Sequence, residues 1–212
     1  NRILVLLVSV ILLFLSAVTL YKFPLKYDNS FEMFMLKDDP NIELFENFRD
    51  LFGDAEYLTI GVEARQKDID LFNSETIAVI HEITTMLENH EYVSKVNSLS
   101  KYQYTHSKGG LLSTDYLFPT VDEKLQSPSD LSMAREIIVS EPLAINTIVT
   151  EDLKHARIIA RTEYIRYEND HKVKVSNDIY NFLKKNNYEA KGYKIRLGGG
   201  AIISERFETL SR

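Results

Sequence analysis

The residues of this 212-residue chain best suited to metal or acid-base chemistry are its five histidines, His81, His90, His106, His155 and His171. No two of them fall at the i, i+4 spacing that lets a helix present a metal-binding pair. His81 and His90, nine positions apart on one predicted helix, are too far apart to share an ion. They read as solvated or half-buried side chains. Cysteine is absent, which excludes disulfides, thiol catalysis and cysteine-ligated metals. Close carboxylates occur at Asp38/Asp39, Glu151/Asp152 and Glu163/Glu168, where they suit a helix cap, a turn and a solvated face respectively. No Gly-x-Ser-x-Gly elbow is present, and no serine and histidine share a recognisable local context. The chain is therefore read as a non-enzyme with no catalytic residue, no metal and no cofactor.

The remaining candidate is the triplet Gly198, Gly199, Gly200 in "YKIRLGGGAIISERFETL". A phosphate-binding P-loop needs a lysine directly after its last glycine, and Ala201, Ile202, Ile203 and Ser204 follow instead. A dinucleotide fingerprint opens an early β-α-β unit, whereas this triplet ends the last predicted strand. The glycines are expected to form a structural corner or a hinge, where the missing side chains permit positive φ and close backbone approach.

The elements that would place this corner belong to an ordinary globular composition, 44% hydrophobic and 26% charged, with a formal net charge of −6. Lysine and arginine are scattered along the sequence without a basic stripe, so nucleic acid is not an expected partner. The first stretch, "NRILVLLVSVILLFLSAVTLYKFP", differs from everything after it. Ile3 to Leu20 carries no charge, and as a helix of about 18 residues it rises roughly 27 Å. That nearly crosses a hydrocarbon core of about 30 Å. Tyr21, Lys22 and Phe23 suit the interface and Pro24 ends the helix. A retained anchor fits better than a secretory signal, whose apolar region runs about 7 to 15 residues before its cleavage site. With Arg2 on the inner side, residues after about 23 lie on the extracytoplasmic (periplasmic) side of the inner (plasma) membrane.

Residues 24–54 read as a linker and an amphipathic helix. Asp39 suits its N-cap, Pro40 its first turn and Gly53 the position after its end, with Ile42, Phe45, Phe48 and Leu51/Phe52 on one apolar face. "EYLTIGVEA" alternates as a strand. A long helix capped by Asp68 follows, with Ile69, Phe72, Val79/Ile80, Ile83 and Met86/Leu87 inward. "YVSKVNSLS" reads as a second strand. Residues 101–130 are expected to be an irregular insertion, closed by a helix from about Ser129 to Ser140 before Pro142. "LAINTIVTEDLKHARIIARTEYI" reads as a hairpin turning at Glu151-Asp152. A helix from about Asn169 to Asn187 and a strand with Tyr193, Ile195 and Leu197 on one face complete the domain. The resulting order, β-α-β, insertion, β-β-α-β over residues 55–200, predicts an α+β two-layer domain of ferredoxin-like type. Residues 201–212 then read as a connector helix.

The order of these features resembles the first membrane helix and first extracytoplasmic loop of the resistance-nodulation-division (RND) superfamily, in its branch of hydrophobe and lipid exporters (MMPL-like). The resemblance is carried by the leading helix, "MLKDDPNIELFENFRDLFGDAEYLTIGVEA", "VSKVNSLS" and "LGGGAIISERFETL". It covers essentially the whole chain. It implies efflux of hydrophobic or amphiphilic, lipid-like substrates driven by an ion gradient, with this part as a porter domain. The partners it implies are the lipid bilayer, the substrate, the remaining halves of the same transporter and further copies of it. It also implies that 201–212 leads toward a next membrane helix. The family's ion-relay residues lie on later helices, so none is carried onto this sequence. The alternative is the extracytoplasmic ligand-binding or sensor domain of a membrane-anchored receptor.

Overall fold

The computed structural model describes residues 2–23, 39–52, 56–64, 70–121, 126–163, 165 and 170–211. Helix α1 (Arg2–Lys22) buries none of its residues and is long and apolar enough to cross a membrane, a property that a signal sequence shares. The following domain mixes helices with two antiparallel sheets.

The larger sheet is built from β1 (Glu56–Ala64), β2 (Val93–Asn97), β5 (His155–Thr162) and β6 (Tyr193–Gly199), in the order β2-β5-β1-β6. Every pairing in it is antiparallel. Alternation decides which side is covered, because successive strand residues face opposite ways. Leu58, Ile60 and Val62 of β1 stand opposite Ala160, Ile158 and Ala156 of β5, and all six are buried. Ile60 and Val62 also stand opposite Leu197 and Ile195 of β6. Onto this side pack α3 (Ser74–Glu88), through Ile77, Ile80, Ile83 and Leu87, and α5 (Asp170–Asn186), through Val175 and Ile179. One continuous core results.

Three local expectations are corrected. Helix α3 starts at Ser74, with its N-cap at Asn73, whose side-chain oxygen accepts from the Thr76 amide at 2.8 Å. Asp70 and Asn73 hold the preceding turn, because Asp70 accepts from the Phe72 amide and Asn73 donates to the Asp70 carbonyl. Phe72 thus precedes the helix; Asp68 and Ile69 lie outside the described residues. The insertion is not irregular throughout. It contains a hairpin of β3 (Gln103–Lys108) and β4 (Leu111–Tyr116), turned at Gly109-Gly110, both with positive φ. That φ suits the two-residue turns that match strand twist. Finally, the stretch before β5 is not a strand. Residues 142–154 fold as turns with isolated bridges, Ile145 to Val149 and Val149 to Ala156, and Asn146 and Leu153 take positive φ. The predicted turn residues keep their role: Asp152 accepts from the Lys154 amide, and Glu151 accepts from Asn146.

Helix α4 (Pro128–Val139) carries a full capping box from Ser127 and Asp130. Helix α2 (Pro40–Phe52) starts as its sequence indicates, with Asp39 accepting from the Asn41 amide at 2.9 Å; Gly53 lies outside the described residues. Its packing is the reverse of the usual arrangement. Glu46 and Arg49 are buried and paired at 3.0 Å, while Leu44, Phe45, Phe48, Leu51 and Phe52 are exposed, Leu51 at 80%.

Tyr188, just after α5, sits in the core and donates to the Glu82 carboxylate on α3 at 2.9 Å. Burial, and then this hydrogen bond, push its hydroxyl far above the usual phenol range. A folded-state pKa above the unfolded value stabilises fully below about pH 10, and the contribution is lost as pH rises beyond it. Urea midpoints are therefore expected to fall as pH rises above about 10, and Tyr188→Phe is expected to show a shallower fall there. An unchanged slope in the variant would contradict this assignment.

Candidate functional site

The glycine corner is built by β1 and β6 together. Antiparallel register sets Gly198 opposite Thr59 and Gly199 opposite Leu58. At this end of the sheet the chain must stop pairing and start α6 (Gly200–Ser211) without a connecting loop. Gly199 makes that possible with φ at 110°, a conformation essentially confined to glycine. A Cβ at Gly199 would lie 2.2 Å from the Tyr57 carbonyl oxygen and 2.9 Å from the Leu58 Cα. Both obstacles are backbone of the central strand and cannot swing aside. Gly198 is less confined, its Cβ position lying 3.2 Å from the Thr59 hydroxyl. Gly200 is the least demanding, since a Cβ there meets Glu56 Oε2 at an ordinary 3.7 Å. The structure thus brings the three predicted residues to one corner and gives them different tasks.

Charge and packing hold the start of α6. Glu56 opens β1 and accepts from Lys172 of α5 at 2.6 Å through Oε1, while Oε2 is buried and has no hydrogen-bond partner among the described residues. This second oxygen lies against Gly200 at the positive end of α6, where a carboxylate is favoured by the helix dipole. The place an incoming phosphate would take at this terminus therefore borders an anion of the protein itself. Beyond it Ala201 and Ile202 are buried, and α6 lies along α5, with the Arg206 guanidinium 5.2 Å from the Tyr180 ring centroid. Glu205 is also buried and accepts from Thr209 at 2.7 Å. Sheet, α5 and α6 meet at Glu56.

The other chemistry-bearing residues do not join this corner. His90 faces Asp178 at 3.3 Å, His106 faces Asp115 at 3.5 Å, and His155 lies 3.7 Å from Asp152 and 3.8 Å from Glu63. His171 is buried on α5, with its ring 5.7 Å from that of Tyr92. Among the described residues no group of three or more His, Asp or Glu converges as a metal site. Asp38 and Glu168 lie outside the described residues. Sequence reading missed two arrangements: the Glu56 to Lys172 pair, whose members are far apart in the chain, and a gathering of cations on the outer face of the sheet. The pair has no local sequence signal, and of the cations only Lys194 and Arg196, alternating on β6, share a side that the sequence shows; strand order and helix packing create the rest.

Comparison with known proteins adds no family: no family model and no curated protein matches the chain.

The corner makes a graded mutational prediction. Gly199→Val is expected to destabilise the domain by at least about 2 kcal/mol, from the disallowed φ together with the backbone clash. Gly200→Ala is expected to be neutral or stabilising by up to about 1 kcal/mol, since its φ and space admit a side chain. Denaturant unfolding of both variants tests the order, and equal effects would contradict it.

Proposed function

We propose that the chain is the first membrane helix and first extracytoplasmic porter domain of an ion-gradient-driven exporter of hydrophobic or amphiphilic, lipid-like molecules, in the RND superfamily. The observation that carries the reading is the succession of three parts. A helix long and apolar enough to span a bilayer comes first, an α+β sheet domain follows, and a tight glycine corner then sends the chain into a packed helix.

The domain part of the reading is a ferredoxin-like unit. Two halves, β1-α3-β2 and β5-α5-β6, contribute alternately to the β2-β5-β1-β6 sheet, with the β3-β4 hairpin and α4 inserted between them. That order supports the split β-α-β arrangement of such units. In an exporter, a domain of this kind moves as a body against a partner domain to open and close a route. The corner after β6 would serve as a rigid coupling, because Gly199 is seated against β1 and Ala201 and Ile202 are buried. The exposed apolar face of α2 suits a chain that packs against further parts of the same transporter.

The test combines gene sequence with cell physiology. The natural gene is expected to continue past the codon for Arg212 into another apolar helix. Deleting it should raise retention of an amphiphilic fluorescent dye, and collapsing the proton and sodium gradients should abolish the difference. A stop codon directly after the codon for Arg212, with unchanged dye retention, would overturn the exporter and favour a single-pass receptor.

A further inference from the structure

The outer face of the larger sheet is basic, although the chain as a whole carries a net charge of −6. Strand register assembles it. Lys95 of β2 stands opposite Arg161 of β5, and Arg161 stands opposite Tyr57 of β1. Arg157 of β5 and Arg196 of β6 flank Gly61 of β1 from either side. His155 and Lys194 likewise flank Glu63. Because side chains alternate, all of these point away from the buried Leu58, Ile60 and Val62. Glu63 is the one carboxylate among the paired positions of this face, and it accepts from Arg196 at 3.4 Å. Lys95, Arg157, Lys194 and Arg196 are exposed.

Two details argue for an anionic occupant. Lys95 and Arg161 are like charges directly across from each other, a pairing that costs stability. In addition, the row through Gly61 has arginines on both sides and no side chain between them. Two strand spacings separate those arginine backbones, roughly 10 Å, which leaves a slot floored by the Gly61 backbone. The Arg157 guanidinium is held in place by donating to the carbonyls of Thr147 at 2.6 Å and Asn146 at 3.3 Å. Arginines rooted on both sides of the slot, one of them paired with Glu63, supply guanidinium groups whose fork suits the oxygens of a phosphate. Base recognition on a sheet uses two or three exposed aromatic rings, whereas among the described residues of this face Tyr57 is the one exposed aromatic. An apolar helix in the same chain points to a lipidic ligand rather than a nucleic acid.

We propose that the outer sheet face, centred on Arg157, Gly61 and Arg196, binds the phosphate headgroup of an anionic amphiphile. This rests on the exporter reading and narrows its cargo to lipids that carry negative charge.

The test titrates the full-length protein in nonionic detergent with short-chain phosphatidylglycerol or phosphatidylcholine. Phosphatidylglycerol should bind more tightly. A variant carrying Lys95→Glu, Lys194→Glu and Arg196→Glu should lose at least about tenfold in that affinity, given the usual contribution of each cation near anionic lipid. A control carrying Lys184→Glu, Lys185→Glu and Lys191→Glu changes net charge equally, away from the face, and should bind as the parent does. Equal binding of the two lipids, or equal loss in both variants, would overturn the proposal. Full displacement by inorganic phosphate, or tighter binding of a single-stranded RNA, would overturn the lipid as the source of the phosphate. Normal dye efflux with no lipid discrimination would sink this proposal alone, and lipid discrimination without efflux would sink the exporter alone.

Discussion

The larger sheet depends on how closely β6 can approach β1. Strand β1 lies between β5 and β6, and its residues Leu58, Ile60 and Val62 form the middle of the core. At its first residues the Tyr57 carbonyl and the Leu58 Cα occupy the space where a side chain on Gly199 would sit. Glycine at that one position lets β6 pair to its end and lets α6 begin at once. The register set there extends along β6 to Tyr193 opposite Ala64. It therefore also fixes which cations of β6 face outward and which apolar residues face the helices.

The same arrangement separates the two sides of the sheet by chemistry. Aliphatic side chains collect beneath α3 and α5, where their removal from water drives folding. Lysine and arginine from β2, β5 and β6 collect on the open side. Glu56 stands at the edge of both regions: its carboxylate is paired with Lys172 of α5 and borders the first turn of α6. A rigid-body displacement of the sheet would therefore carry α5 and α6 with it. This is the mechanical property that the proposed porter role requires.

Much of the fold was legible in the sequence, because strands and helices with one buried side leave a period behind. β1, β5, α5 and β6 follow the alternation and helical spacing seen in the residues. Where the period was weak, competing local chemistry won. Asn73 outcompeted Asp68 as a cap because Asp70 stabilises the turn before it. The apolar run at Leu143–Val149 looked like a strand, yet its backbone is taken up by tight turns, with Asn146 at positive φ. The β3-β4 hairpin was hidden because its side chains are mostly exposed and polar, so only Gly109-Gly110 marked it. The glycine corner was visible as a place, while the separate demands on its three residues needed the opposing strand. The basic face was legible only in part: Lys194 and Arg196 share the polar side of the last strand in the sequence, but joining them to the cations of β2 and β5 needed the strand order.

Seated against β1, the Gly199 corner should make the sheet and α6 move as one body. Amide hydrogen exchange on the full-length protein measures this directly, by comparing the β1 amides from Leu58 to Val62 with those of α6 from Glu205 to Thr209. A rigid coupling predicts that the two sets exchange with similar opening free energies, as members of one cooperative unit. Exchange in α6 faster by orders of magnitude, with β1 still protected, would make the corner a hinge and contradict the account.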